Sequence, residues 1–461
     1  MTNNSSTMGM TMDFLELIKP NLTAIDFDSI TTVKAKSCRA FEDLVESYRS
    51  HMTVTQSIED CLAVCCGIHI ATKMDGDPLW MYLVGAPSSG KSTLCELLCA
   101  DEYNSRPLSK FTGLISGSKQ GSHLIPYLHG RCVIVKDGTL LLESTPAQLA
   151  NVYGELRDIF DGSIEARYRN GVEASFKNIS FGLIIGITEK IYGLNMSALG
   201  ERFLHCRLET ERVTELQRNR TAIESVFGST SRTMAEDIDN EEDQRSFPIQ
   251  RGYTAGFLNH LHSKVSNEEI LRPTYTDDDT ILIQDLADII ACSRAQAPKD
   301  LKDNIMYDSR PESSTRVVKQ LARLALALCY VYSTNRITDN IRRVIRKVAL
   351  DTAFSRQYHV IKAISNSRNG LTRKTISSQT GLEYENCRKI ILDLLSLEIV
   401  QEISNTGNNK GGVTPSLLVL PDWIKDAFNR GSRPKANQTR IPKKVSKVSK
   451  LNRQRQVRED T

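Results

Sequence analysis

The sequence predicts an α/β fold: a parallel sheet with helices on both faces, then an α-helical lid and a C-terminal winged helix-turn-helix. Three observations predict it. A strand, a glycine-rich loop and a helix follow one another in "LWMYLVGAPSSGKSTLCELLCA". The run "NISFGLIIGITEK", from Asn178 to Lys190, is apolar on both faces, as in a strand covered from each side. Beyond Arg310 the apolar spacing becomes helical, with Val317, Leu321, Leu324 and Leu328 on one stripe. At 461 residues the chain is too long for one ordinary core, and two or three domains are expected.

The first 54 residues hold one helix, from Phe41 to Met52, and no motif. The core occupies residues 55–224. Its strand from Trp80 to Val84 runs into Gly85-x-x-x-x-Gly90-Lys91-Ser92, a P-loop in the strand-loop-helix context such a loop requires. Gly85 and Gly90 let the loop curl, so that backbone N–H groups converge on a phosphate at a positive helix N-terminus. Gly85, Ala86, Pro87, Ser88, Ser89, Gly90, Lys91, Ser92 and Thr93 are therefore the candidate nucleotide contacts. Lys91 is placed to reach the β- and γ-phosphates of ATP, and the Ser92 hydroxyl to ligate Mg²⁺.

Cys132 to Val135 reads as a buried strand ending in Lys136-Asp137, where P-loop proteins place the Walker B acid that holds Mg²⁺. Many such enzymes carry a glutamate next, to polarise the attacking water; here Gly138 follows. Either Glu143, Asp158 or another acid supplies the base, or hydrolysis is slow. After it, "ARYRNGVEAS" centres on Asn170-Gly171, a strong hairpin signal that predicts a type I′ turn with both residues at positive φ. The strand that follows ends in Thr188, suited to orienting a nucleophilic water. In "ALGERFLHCRL", Arg202 precedes a further strand, where an arginine faces the γ-phosphate of a neighbouring subunit in a ring; a surface salt bridge is the simpler alternative.

A polar, acidic linker spans 225–251, and the helical lid 252–356. Arg316, near the start of a lid helix, is placed to act as a second sensor of the nucleotide. Residues 357–430 read as three helices and a two-stranded wing. In the third helix Cys387, Ile390, Ile391, Leu394 and Leu395 face inward. That leaves Arg388 and Lys389 outward, in the position of a recognition helix, with Arg373, Lys374 and Lys410 as further contacts to a duplex. Glu383 and Glu385 oppose phosphate there, and the module alternatively binds proteins.

Residues 431–461 carry ten Lys and Arg against two acids, a net of +8 in a chain of net +4. With almost no apolar content they form a disordered basic tail, either solubilising or a tether for phosphates. Eleven cysteines without a CxxC pair, and eight histidines without an HxxxH, argue against a structural metal and for buried thiols in a reducing compartment. The N-terminus lacks the pattern of a secretory signal, and the longest apolar runs fall far short of a membrane span. A cytoplasmic location and no membrane partner are expected.

Strand, P-loop, Walker B, hairpin, sensor, arginine finger and helical lid, in that order, resemble an AAA+ ATPase. Closer still, "GDPLWMYLVGAPSSGKSTL", "VIVKDGTLLL", "LRDIFDG", "FGLIIGIT" and "LGERFLHCRL" are similar to predicted primase- or helicase-like ATPases of phages and mobile genetic elements. The likeness covers roughly residues 55 to 210, and more weakly the lid. A more distant likeness is to the minichromosome maintenance helicases, in which a hairpin in this slot grips DNA inside a ring. That resemblance implies DNA contacts at Arg167 and Arg169, with Lys177 beside them, while Glu165 and Glu173 offset the charge. Charges paired across the hairpin are the alternative.

Together these readings imply an ATP-hydrolysing homo-oligomeric ring acting on DNA, a helicase or translocase in replication of a mobile element. Two alternatives stand beside it: an ATP-switched DNA-binding initiator, loader or regulator, and a defence ATPase acting on proteins.

Overall fold

In the computed structural model, the described residues lie between 35 and 431; within that span 50–51, 100–104, 109–113, 116–122, 140–142, 144, 194–201, most of 210–247, 267–272, 301–303, 307–309 and 404–415 are not described. Lys410 and the basic tail therefore lie outside the described residues, as does most of the acidic linker.

Five strands form one parallel sheet: β1 (Trp80–Val84), β2 (Ser105–Leu108), β3 (Cys132–Val135), β6 (Gly182–Ile187) and β7 (Phe203–Arg207), in the order β2-β3-β6-β1-β7. Between them β4 (Ser163–Arg167) and β5 (Glu173–Lys177) pair antiparallel as a separate hairpin. Alternation along each strand sends side chains into two cores. From β1, Met81 and Leu83 enter one core, with Ile134, Ile184 and Cys206. Trp80, Tyr82 and Val84 enter the other, with Val133, Ile185 and Phe203. The expected mixed α/β sheet with helices on both faces is present.

On the first face lie α1 (Phe41–Arg49), α2 (Gln56–Ala71) and α3 (Lys91–Leu98). On the second lie α4 (Ile125–Leu128) and α5 (Pro146–Phe160), with Tyr153, Leu156 and Ile159 buried against the strands. Thr145 starts α5 with a reciprocal capping box to Gln148, which satisfies two backbone donors. Helix α2 is buried on nearly all sides, as its apolar and cysteine-rich sequence requires. Of the eleven cysteines ten are buried and Cys99 is partly so, all of them free thiols. Burial pushes the Cys95 thiol up to about 12, which makes it unreactive.

Four further helices follow: α6 (Pro248–Ser266), α7 (Asp277–Arg294), α8 (Thr315–Val331) and α9 (Asp339–Ala353). The stripe Val317, Leu321, Leu324 and Leu328 is buried as its spacing predicts. Helix α9 closes the edge of the sheet. The outward backbone N–H of His205 donates to Thr352 Oγ1 at 2.8 Å, and that of Arg207 to Asp351 Oδ2 at 2.7 Å. An edge strand so covered offers no free ladder to a second chain.

The chain ends with α10 (Arg356–Ser365), α11 (Arg373–Thr380) and α12 (Tyr384–Ser396), a strand pair β8 (Gln401–Ile403) and β9 (Leu417–Val419), and α13 (Asp422–Gly431). Leu371 bridges to Leu418, which ties the segment between α10 and α11 to the strand pair. In α12, Cys387, Ile391 and Leu394 are fully buried, and Ile390 and Leu395 partly so. Helix α13 has no counterpart in the sequence reading. It returns to α7, where Arg430 holds the buried Asp285 through two bonds of 2.8 and 3.0 Å. One continuous core then runs from Cys38 through the sheet and α6–α9 to Phe428.

Candidate nucleotide site

The sheet register places three loops side by side. Val84 pairs with Ile187, and Val135 with Ile185, so β6 runs between the strand that feeds the glycine-rich loop and the strand that ends in Asp137. Backbone bonds fasten both loops to the end of β6. Gly85 N–H donates to the Ile187 carbonyl at 3.1 Å, and Gly138 N–H to the Gly186 carbonyl at 2.7 Å. With strands about 4.8 Å apart, the glycine-rich loop and Asp137 stand roughly 10 Å from each other. Thr188 emerges between them.

The loop curls as its glycines predict. Gly90 sits at φ +92° and caps α3, and Ser88 also takes a left-handed conformation, φ +61°. At Gly85 a Cβ would come within 2.7 Å of Ser89 Oγ, so a side chain there closes the curl. Ala86, Pro87 and Ser88 are exposed at the crest, while Ser89 is buried beneath it. Lys91 is buried as well. Its Nζ donates to the carbonyls of Gly85 and Ala86, each at 2.7 Å, and to Ser89 Oγ at 3.4 Å. Burial lowers its pKa, and the carboxylates of Asp137 and Glu189 work against that. Ser92 is exposed in the first turn of α3, and Thr93 half-buried beside it.

Asp137 is exposed, and its Oδ1 accepts from the Thr139 N–H at 2.9 Å and from the Thr139 hydroxyl. Those bonds, with Lys91 nearby, hold its carboxyl below the usual range. An ionised carboxylate and a serine hydroxyl are hard oxygen donors of the kind Mg²⁺ takes. The Thr188 hydroxyl is buried with no partner in the protein, at the strand end between them. An unpaired buried hydroxyl is costly and calls for a ligand atom or water. The donors present thus fit a phosphate and Mg²⁺: Lys91 and the loop amides for the former, Ser92 and Asp137 for the latter.

Glu189 is the acid that sequence reasoning passed over. It follows Thr188 directly, is exposed, and acts electrostatically on Lys91. Its signal was its position at the exit of the central strand. Asp158, by contrast, lies in the last turn of α5, just before Phe160 and Asp161, at the other end of the sheet. Glu143 is exposed in the segment after Asp137.

Arg202 and Arg316 also belong to that far end. Arg202 is 6% exposed, donates to Asp161 at 3.1 and 3.4 Å, and lies 5.5 Å over the Phe160 ring. It precedes β7, at the edge where β1 begins, not where the glycine-rich loop leaves it. Arg316 lines a cavity there with Pro78, Phe160 and Asp161, and pairs with Glu312 at 3.4 Å. The length of β1, about 16 Å, separates it from Lys91 of its own chain. The expectation that Arg316 reaches back to a nucleotide in the same chain is not met by this placement, because α8 begins at the wrong edge of the sheet.

The hairpin is present, but its turn differs from the one Asn170-Gly171 predicts. Gly171 N–H donates to the Tyr168 carbonyl at 3.0 Å, and Tyr168 N–H to the Val172 carbonyl at 2.8 Å. Only Gly171 has positive φ, +82°. Arg169 and Asn170 are thus the central pair, and Gly171 supplies the left-handed residue of a three-residue loop. The reason is local: Asn170 Oδ1 accepts from Val172 N–H at 3.1 Å, which holds its own backbone at negative φ. Arg169 is exposed at the tip, whereas Arg167 pairs across the strands with Glu173 at 2.9 Å, and Lys177 with Glu165 at 3.9 Å.

On α12, Arg388 faces solvent and pairs with Glu385 at 3.3 Å. Lys389 lines a cavity shared with the sheet and α7, and therefore borders the rest of the protein. Arg373 pairs with Glu402 at 3.0 Å. Among the described residues no helix is long and apolar enough to cross a membrane, and no cluster of three or more His, Cys, Asp or Glu side chains is placed to hold a metal. No protein-family model matches the chain, and no curated protein matches it.

Proposed function

We propose that the chain is an ATP-hydrolysing AAA+ ATPase that assembles as a ring and acts on DNA, as a helicase or translocase in replication of a mobile genetic element. One observation carries the nucleotide chemistry: the glycine-rich loop with Lys91, the carboxylate of Asp137 and the unpartnered Thr188 hydroxyl leave three adjacent strand ends, with Thr188 in the middle. In this reading Lys91 neutralises the β- and γ-phosphates, Ser92 and Asp137 hold Mg²⁺, and Thr188 orients the attacking water. The helices 248–353 form the lid, and α10–α12 with β8 and β9 form a winged helix.

The ring and the DNA rest on separate features. Arg202 and Arg316 share the edge of the sheet opposite the glycine-rich loop, where a neighbouring copy's nucleotide would dock; Arg202 reaches it only by leaving Asp161. Arg169 at the exposed hairpin tip is the proposed DNA contact in preference to Arg167, whose guanidinium pairs with Glu173. The deciding experiment measures ATP binding and turnover of Lys91→Ala, which should abolish both. Turnover equal to wild type removes the assignment.

A second reading has support of its own. Gly138 occupies the position of the usual catalytic glutamate, and Arg202 is held in a salt bridge. Both fit an ATP-switched DNA-binding initiator, loader or regulator. ATPase rates with and without single- and double-stranded DNA, alongside native mass with ATP, separate the two. A DNA-stimulated oligomer supports the motor, and a slow, DNA-indifferent rate supports the switch.

A further inference from the structure

A cavity of about 640 Å³ lies where the sheet, α7 and the C-terminal helices meet, and nothing in the ATPase reading uses it. One wall is Tyr192 and Gly193, from the 3₁₀ turn Glu189–Gly193 that follows β6. His205 of β7 and Phe354 form the floor, and α12 closes the opposite side. We propose that this cavity binds a nucleoside monophosphate, its ring against Tyr192, His205 and Phe354 and its phosphate on the surrounding cations.

The first support is unmet hydrogen bonding. His205 is 4% exposed, yet neither ring nitrogen has a partner, and the Tyr192 hydroxyl is buried without one. Native structures seldom leave such groups unsatisfied, so each asks for a ligand. Burial first, and the nearby Arg294 second, hold the imidazole well below its usual pKa and therefore neutral. A neutral imidazole offers one N–H donor and one nitrogen acceptor, the complement of the edge of a heterocyclic base rather than of a phosphate.

The second support is the division of the walls into an aromatic part and a cationic part. Tyr192 stands 5.4 Å from the His205 ring and 4.9 Å from that of Phe354. Aromatic faces of this kind carry bases by stacking. Around them stand Arg294, Lys299, Arg310, Arg356 and Lys389, against the acids Glu312 and Asp393. Lys299 engages Asp393 at 3.0 Å, and Arg310 the more distant Glu398 at 3.6 Å, which leaves the wall net positive. A purely apolar ligand has no use for those cations, and inorganic phosphate has none for the aromatic floor. The volume falls within the range of small-molecule sites, which favour junctions of this kind.

The test uses the full chain carrying Lys91→Ala, which disables the glycine-rich loop, so that its outcome is independent of the ATPase reading. Equilibrium dialysis with labelled AMP, GMP, CMP and UMP should show saturable binding of one equivalent for at least one of them. Adding Arg356→Glu and Lys389→Glu, both at exposed positions, should weaken it tenfold or more. Tyr192→Phe should weaken it severalfold, with thermal unfolding confirming that the variants are folded. Inorganic phosphate and the matching nucleoside should each bind at least tenfold more weakly than the monophosphate. Absence of binding by all four monophosphates, phosphate binding as tight as theirs, or binding indifferent to the charge reversals would each overturn the proposal.

Discussion

The backbone of Gly138 lies against Gly186, donating its N–H to that carbonyl at 2.7 Å. A Cβ at 138 would come within 2.6 Å of Ile185 Cγ2, and one at 186 within 2.6 Å of the Lys136 carbonyl oxygen. The two glycines let the acid-bearing loop close onto β6. They also explain why no glutamate follows Asp137: the position has no room for one. Gly138→Ala is expected to cost about 1–3 kcal/mol through overpacking, read as a lowered denaturation midpoint. Gly138→Glu should not raise ATP turnover, and a faster, stably folded Gly138→Glu enzyme would refute the steric account.

If the proposed ATP hydrolysis takes place and position 138 is closed to an acid, the base has to come from elsewhere, and Glu189 is an exposed carboxylate that acts on Lys91 together with Asp137. Glu189→Gln is expected to lower kcat by about 10² to 10⁴ while ATP affinity stays within a few-fold of wild type. Asp158→Asn, at the far edge of the sheet, should leave kcat within about twofold. Steady-state ATPase kinetics and nucleotide titration decide. A loss confined to Asp158→Asn would reverse the assignment.

What the sequence made legible follows from how local each feature is. The glycine-rich loop, the strands ending at Val84, Val135 and Ile187, and the buried stripe of α8 are each written in contiguous residues or in one period. Glu189 is legible as the acid that leaves the strand after Thr188, but its closeness to Lys91 is not, because that depends on β6 lying beside β1, a pairing no short window encodes. Arg316 illustrates the same limit: its helix follows from the apolar spacing, but the end of the sheet where that helix begins is a tertiary fact. Helix α13 hid because Asp422–Gly431 leads into polar sequence, and it is held by Arg430 on Asp285, far back in the chain. At the hairpin, Asn170-Gly171 marked the turn, while the side-chain bond from Asn170 to Val172 N–H selected its type.

That turn leaves the two hairpin arginines in different situations. Arg167 is 79% exposed and paired with Glu173, a surface ion pair worth at most about 1 kcal/mol. Arg169 stands exposed at the tip. If the hairpin meets DNA, Arg169→Ala should reduce the slope of log affinity against log salt by about 0.7–0.9. Glu173→Gln, which frees Arg167, should increase affinity and steepen that slope. Fluorescence anisotropy with a single-stranded oligonucleotide across a salt series measures both. Slopes unchanged in both variants would return the hairpin to a purely structural part.

Acid should act on this protein through its buried histidines before it acts on its carboxylates. His69, on α2, is fully buried beside Ser105 of β2 and His262 of α6, and burial foremost, with His262 and Lys73 adding to it, lowers its pKa to about 3. Its value in the unfolded chain is about 6.5. The sign follows from proton uptake: below pH 6.5 the unfolded state binds a proton that the folded state refuses, so stability falls as pH falls from about 6.5 towards 3. Each such group contributes a slope of up to about 1.4 kcal/mol per pH unit. His205, also held well below its usual value by burial, adds to the same window. Denaturant titrations between pH 7.5 and 4.5 should show this loss, and His69→Gln should flatten it by close to one proton's worth, whatever its effect at pH 7.5. An unchanged slope in that variant would mean that His69 is protonated in the folded protein.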